Sequence, residues 1–367
     1  MSTVHKKQRK KTRKISFASA ICEALDTCLG MDKRVVLIGE GVPDLKGIFG
    51  TTLGLQEKYG AQRVFDMPVS ENGLTGICVG GAIAGLRPIM VHQRIDFTLL
   101  AADQIINNAA KWYYMFGGKV SVPLVIRMII GRGWGQGAQH SQSLQALYGH
   151  IPGLKVVMPT FPCDAKGMLI AAVEDNNPVL FIEHRWLHGI TGDVPRTYYT
   201  EDLDKAKVAA VGNDLTIVAT SYMTIESLRA HQILLKEGIT LDIVDLRSIK
   251  PLDRETIIQS VEKTGRLLAV DTGYKTLGVA SEVIAEVSQY AFSSLRCAPE
   301  KITLPDVPTP TSWKAAEAYY PTYLDIVGKA LAMLGKPQQM ILRVLKENMP
   351  YASLRSDVPD MSFSGPF

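Results

Sequence analysis

Short, continuously apolar runs recur along the first half of this chain, separated by longer stretches of helical period. The runs are Val35–Gly39, Val64–Met67, Pro88–His92, Leu124–Ile130, Lys155–Met158 and Val179–Glu183. A strand with one wet face alternates apolar and polar side chains, whereas a strand covered on both faces stays apolar throughout. Helical patterns lie around and between these runs at Phe17–Leu29, Gly73–Gly85, Leu99–Met115 and Asp164–Glu174. Doubly covered strands alternating with helices predict an α/β domain with a mainly parallel sheet.

The pattern then repeats. Strands are expected at Leu215–Ala219, Thr240–Leu246 and Leu267–Asp271, with helices near Thr224–Lys236, Arg254–Thr264, Val279–Gln289 and Tyr323–Met333. The chain has 367 residues, enough for two such domains. The expected division is a basic disordered arm over 1–14, a first domain over 15–190 and a linker over 191–206. A second domain over 207–336 and a C-terminal extension over 337–367 complete it.

Composition removes several function classes. Hydrophobic residues make up 46% of the chain, ample for two cores, yet no apolar run is long enough to span a bilayer. No charged-then-apolar signal pattern opens it. The five cysteines are scattered with no Cys-x-x-Cys pair, so they read as thiols of a reducing compartment, and a cytoplasmic location is expected. The net charge is +4, but residues 1–14 carry seven Lys/Arg and no acid; subtracting seven from +4 leaves −3 for the body. The body is therefore not a basic nucleic-acid surface, and no nucleic-acid or membrane partner is expected.

One segment carries chemistry. The run Asp66-Met67-Pro68-Val69-Ser70-Glu71-Asn72-Gly73 ends a strand and opens a helix rich in small residues: Gly73, Gly76, Gly80, Gly81, Ala82, Ala84, Gly85. Each glycine costs a helix roughly 1 kcal/mol against alanine. So many imply close approach of another backbone or a ligand. Glu71 stands at a strand's carboxyl end, where open α/β sheets bind ligands. From position alone, a first-turn acid stabilising the helix dipole explains Glu71 better than a ligand contact does.

The segment Asp66–Pro88 closely resembles the pyrimidine-binding domain of the transketolase superfamily. Specifically, it looks like the beta subunit of the decarboxylating component of pyruvate and branched-chain 2-oxo-acid dehydrogenases. The likeness continues in order through Ala102–Asn107, Ala109–Tyr114, Gln139–Gln142, Gly153–Val157, Asp175–Pro178 and Asp245–Asp253. It covers about residues 15–335. It implies two domains, a transketolase-like pyrimidine-binding domain and a transketolase C-terminal-like domain, each a mainly parallel sheet flanked by helices. It also implies a thiamine-diphosphate-dependent enzyme that decarboxylates a 2-oxo acid and passes the acyl group to a lipoyl acceptor.

By that resemblance, Glu71 bonds the pyrimidine ring nitrogen of thiamine diphosphate and must share or hold a proton there, while the cofactor does the hard chemistry. Phe97 packs against the ring, and Glu40 and Val69 lie beside the cofactor. His140 lines the channel, where it transfers protons or steadies the intermediate. Leu124, Ala172, Val173, Asp175 and Asn177 match positions that hold a structural potassium ion in several relatives. Read plainly, Phe97 is a core aromatic, His140 a polar loop residue, and Asp175–Pro178 a turn closing a helix.

The superfamily's Gly-Asp-Gly motif for magnesium and diphosphate is absent from this sequence. The resemblance therefore implies a separate alpha-type chain carrying magnesium and the diphosphate, in a heterotetramer that self-associates through the C-terminal domain. A lipoylated acyltransferase is the implied acceptor partner. Departures from the relatives' pattern stand at Gly41, Val91, His92 and Asp271-Thr272-Gly273-Tyr274. They motivate an alternative: a non-catalytic or specialised-pathway partner subunit of the same fold. A nucleotide-binding oxidoreductase would need a Gly-x-Gly-x-x-Gly turn between a first strand and helix, which this sequence lacks.

Overall fold

The computed structural model describes residues 12–44, 46–131 and 136–349. Among these, fourteen strands form three sheets. In chain order they are β1 (Thr12–Ser16), β2 (Val35–Gly39), β3 (Val64–Phe65), β4 (Arg87–His92), β5 (Val125–Ile130), β6 (Lys155–Val157) and β7 (Val179–His184). Then follow β8 (Thr191–Pro195), β9 (Lys207–Ala210), β10 (Leu215–Ala219), β11 (Leu241–Asp245), β12 (Ser248–Lys250), β13 (Leu267–Tyr274) and β14 (Glu300–Leu304).

The first sheet has the order β12-β6-β7-β5-β4-β2-β3, and β2 to β7 are mutually parallel. β4, β5 and β7 are buried along almost their whole length, as their unbroken apolar runs require. One core lies on each face: Val35, Leu37, Ile89 and Phe181 face one, and Ile38, Met90, Ile126 and Leu180 face the other. The helices Phe17–Met31 and Pro162–Glu174 cover the first core; the helix Glu71–Ile83 covers the second.

The first sheet also buries a charge. Arg127 of β5 is fully enclosed and donates to both Glu183 oxygens of β7 at 2.6 and 2.9 Å, and to Thr51 Oγ1 at 3.0 Å. Burial pushes the Glu183 carboxyl up, but Arg127 and His188 outweigh it and hold it below its ordinary range.

The second sheet is β14-β13-β10-β11-β9, parallel except for the antiparallel edge strand β9. Cores again lie on both faces. β12 leaves this domain and pairs antiparallel with β6, so the first sheet ends on a strand from the second domain. Beside it, Thr160 Oγ1 donates to Asp245 Oδ1 at 2.9 Å, and Arg247 pairs with Asp164 at 3.0 Å.

Several expectations shift. The polar stretch expected as a linker over 191–206 opens as β8, which pairs antiparallel with β1 from Thr12↔Pro195 to Ser16↔Thr191. Residues 12–14 of the expected arm are therefore in a strand; residues 1–11 lie outside the described residues. The single helix expected over Leu99–Met115 is three pieces. A 3₁₀ turn spans Ile95–Leu99, a π-helical stretch Gln104–Ala109 and an α-helix Ala110–Met115. Asn107 and Asn108 side chains bond back to Asp103 and Gln104 beside the widened turns. The C-terminal extension carries one helix, Gln338–Glu347, and residues 350–367 lie outside the described residues.

A fully buried acid sits at the domain junction. Asp245 is fully buried; burial, reinforced by Asp164, pushes its carboxyl up to about 7. The unfolded chain ionises this group near 4, whereas the native protein keeps the proton until about 7. Stability is thus lost as pH rises between those values. Asp245→Asn keeps an acceptor for Thr160 and Thr224. It is expected to raise the melting temperature more at pH 8 than at pH 5; equal shifts at both would sink the assignment.

Candidate active site

The parallel strands of the first sheet end along one edge, and the candidate residues collect there. Glu40 follows β2, Asp66 and Glu71 follow β3, and His92, Arg94, Asp96 and Phe97 end or follow β4. Glu71 is the first residue of its helix and is 7% exposed. It belongs to the helix's inward stripe with Thr75, Cys78, Val79 and Ala82. Among the described residues, no group hydrogen-bonds or ion-pairs with its carboxylate. The dipole reading of its position also holds, since the helix N-terminus lies beside it.

Glu40 joins Glu71 in one acidic set. Burial pushes the Glu40 carboxyl above its ordinary value, and the charges of Glu71 and Asp66 add to the effect. Its Oε1 is buried without a hydrogen-bond partner. Asp66 is occupied locally: its Oδ1 accepts from Gly41 N and Met67 N, each at 2.9 Å. Gly41 has φ +74°, and a Cβ there would stand 2.7 Å from Gln93 Nε2, so this departure from an acid follows from the turn itself. Val69 is 80% exposed and precedes Glu71 on the same edge.

Phe97 and His140, far apart in sequence, meet edge to face with centroids 5.5 Å apart. His140 is exposed and Phe97 half-buried. Arg94, Asp96 and Gln142 hold this meeting together; Gln142 falls in the Gln139–Gln142 motif, whereas Arg94 and Asp96 belong to no motif. Gln142 donates to Asp96 Oδ1 from Nε2 at 2.8 Å and from its backbone N at 3.3 Å. Arg94 donates to Gly131 O and Gln136 Oε1, each at 2.5 Å. Burial pushes Asp96 up and the Arg94 guanidinium down to about 10. Their signal was only a charge at each of two positions just after an apolar strand. The residues 132–135 of the glycine-rich loop lie outside the described residues.

The second domain braces the His140 loop. Thr309 Oγ1 donates to Ser141 O at 3.4 Å, and Gln145 Nε2 donates to Asp271 Oδ1 at 3.0 Å. Asp271 also accepts from Thr220 Oγ1 and from Val279 N, which opens the helix Val279–Tyr290. The Asp271-Thr272-Gly273-Tyr274 turn is thus an interdomain joint.

The glycines of the Glu71–Ile83 helix have mixed causes. A Cβ at Gly76 would lie 3.2 Å from Gln104 Oε1, whereas one at Gly80 would meet nothing within 4 Å. Within this chain, only part of the helix needs its small residues.

The potassium positions form a real cluster, but protein cations already occupy it. Arg87 donates to Val173 O at 2.8 Å and Asp175 O at 3.0 Å, and Lys155 pairs with the Asp175 carboxylate. Leu124 O accepts from Val179 N at 3.0 Å, and Asn177 N donates to Asp175 Oδ1 at 2.8 Å. Ala172 is buried one residue before Val173 on the same helix. The turn is closed and neutralised by Arg87 and Lys155, so it does not fit a further cation. Among the described residues no group of three or more His, Cys, Asp or Glu could hold a metal.

Glu40 and Glu71 present unpartnered carboxylate oxygens at the strand-end edge, with an aromatic ring nearby. The set lies at the strand-end edge, where parallel α/β sheets bind ligands. Comparison with known proteins agrees. Residues 13–189 match the transketolase pyrimidine-binding domain and residues 204–324 the transketolase C-terminal domain. The chain is 42% identical over 328 residues to the acetoin:2,6-dichlorophenolindophenol oxidoreductase subunit beta of Cupriavidus necator, covering 87% of this chain and 97% of that protein. It is 41% identical over 322 residues to the mitochondrial pyruvate dehydrogenase E1 component subunit beta of Pisum sativum, covering 87% and 90%. A split-gene transketolase, described as an inactive beta4 tetramer, superposes with a TM-score of 0.71 at 24% identity over 88% of this chain and 98% of its own. The chain belongs to the family of E1-type beta subunits of pyruvate and acetoin dehydrogenases.

If Gln142 holds the loop as its bonds indicate, Gln142→Leu leaves the buried Asp96 carboxylate short of its best donor. A loss of about 1–3 kcal/mol in urea unfolding is expected; an unchanged midpoint would remove Gln142 from this role.

Proposed function

We propose that this chain is the beta half of a thiamine-diphosphate-dependent 2-oxo-acid dehydrogenase, active only with an alpha-type partner. The observation that carries the reading is Glu71: a buried carboxylate, first in its helix, unpartnered among the described residues, at the ligand edge of a pyrimidine-binding domain. When bound, thiamine diphosphate supplies a carbon nucleophile and an electron sink for decarboxylation.

Glu71 would hold the proton at the pyrimidine nitrogen. Glu40, whose carboxyl is biased toward its protonated form, would limit the negative charge beside it. Phe97 and Val69 would flank the ring, and Phe97 also sets the position of His140. His140, exposed at the edge, would move protons for the substrate or the departing acyl group. Magnesium and the diphosphate would be held by the partner, in a heterotetramer formed in the cytoplasm, since the Gly-Asp-Gly motif is missing here. A lipoyl group on an acyltransferase is the acceptor this reading favours. No helix among the described residues is long and apolar enough to cross a membrane. The acetoin-type relatives support a second reading, in which acetoin replaces the 2-oxo acid. Rates with pyruvate, branched 2-oxo acids and acetoin separate the two.

Glu71→Gln, assembled with the partner chain, is expected to lose at least ~100-fold in turnover while the assembly keeps its mass. Near-normal turnover would overturn the proposal.

A further inference from the structure

We infer that His92 is a positioning residue of this site, holding the Glu40 carboxyl through its Nε2 when the ring pocket is filled. The inference rests on the thiamine-site reading above and adds a side chain that neither the sequence motifs nor the proposed mechanism uses.

His92 closes β4 and is 3% exposed, and its Nε2 is buried without a hydrogen-bond partner. Register places Glu40 beside it. Gly39 pairs with Val91, one residue back on each strand. Gln93 Nε2 donates to Glu40 O at 2.9 Å, and a Cβ on Gly41 would stand 2.7 Å from that same nitrogen. Glu40 and His92 are therefore bracketed as neighbours at two adjacent strand ends.

His92 lies on the face of the sheet that the helix Glu71–Ile83 covers, since it pairs with Met128 of that core, and Glu40 follows β2 directly at the adjacent strand end. Ile38 and Met90, two residues before each, lie in the core beneath the helix Glu71–Ile83. Thr75 Oγ1 contacts Met90 Sδ at 3.2 Å and registers that helix against β4. One turn back along the helix, about 6 Å, stands Glu71. Two residues on along the strand, about 6.6 Å toward the same edge, stands His92.

The chemistry of the two groups is complementary. Burial holds His92 down at about 4, so the ring is neutral, with one N–H and one lone pair. The Glu40 carboxyl is biased toward protonation by its burial and by Glu71 and Asp66. One buried nitrogen and one buried oxygen, each without a partner, thus lie on adjacent strand ends. Buried polar groups are nearly always satisfied, and each one left open is destabilising. A hydrogen bond between them, direct or through one water, satisfies both. It also fixes Glu40 without adding charge next to Glu71.

The test uses the assembly with its partner chain and titrates thiamine diphosphate with magnesium, read by intrinsic fluorescence. Glu40→Ala and His92→Phe are each expected to weaken binding ~10-fold, a typical cost of one hydrogen bond. The double variant should also lose ~10-fold rather than ~100-fold, because the two act as a unit. His92→Gln, which can still donate, should recover to within ~3-fold. Additive losses, or wild-type affinity in His92→Phe, overturn the inference. Should His92→Phe fail to fold, the imidazole ¹⁵N resonances of the wild-type assembly decide. A His92 signal that shifts on Glu40→Ala supports the contact, and one that stays put overturns it. A wild-type assembly that shows no saturable binding would instead sink the thiamine reading itself.

Discussion

Six strands pointing one way deliver their carboxyl ends to a single edge, and everything chemical in the first domain follows from that. β2, β3 and β4 end in Glu40, Asp66 with Glu71, and His92 with Arg94. The three groups lie far apart in sequence; the parallel sheet makes them neighbours. The edge stays in place because its strands are covered on both faces and because Arg127 and Glu183 tie β5 to β7 with no exposure to water. A buried pair of this kind adds little net stability. Losing either member would leave an uncompensated charge, however, so it fixes which strand lies beside which.

The second domain is more than an appendage. β12 extends the first sheet, and Asp271 and Thr309 reach the loop that carries His140. His140 is therefore positioned from two sides, by Asp96 and Arg94 from β4 and by the second domain from beyond. The departure at Asp271 has a physical account here. Its two oxygens serve Gln145, Thr220 and Val279 N, so it couples the joint between domains to the start of a helix.

The parallel architecture was legible because doubly buried strands write themselves as apolar runs. Val35–Gly39 and Leu215–Ala219 fall on the expected residues. β1, β8, β9 and β12 were not legible, because they are edge or ribbon strands with mixed polarity and pair with distant partners. The break in the Leu99–Met115 helix was hidden because its apolar period survives a π-helical insertion. At the site, Glu71 was marked by its glycine-rich helix and Phe97 by resemblance. Arg94 and Asp96 could not be seen, and Gln142 stood in a motif without a role, since each gains meaning only from a contact made across the fold.

What remains is why a site should be left half built. The outward side of the Glu71–Ile83 helix carries Ile77, 64% exposed, and Gly80, whose missing Cβ faces open space. Val69 and Leu100, also at the edge, are 80% and 64% exposed. Glycine in a helix costs stability, and exposed apolar side chains gain nothing from water. Both features become favourable only when another surface lies close against them. The same edge presents carboxylates for one end of a ligand and lacks the motif that would grip its charged end. A cofactor bound here would be held at the pyrimidine alone, with its phosphates in solvent. On the function proposed above, the surface that covers the glycine face would also supply the diphosphate site, so that recognition between subunits and completion of the active site would be one event.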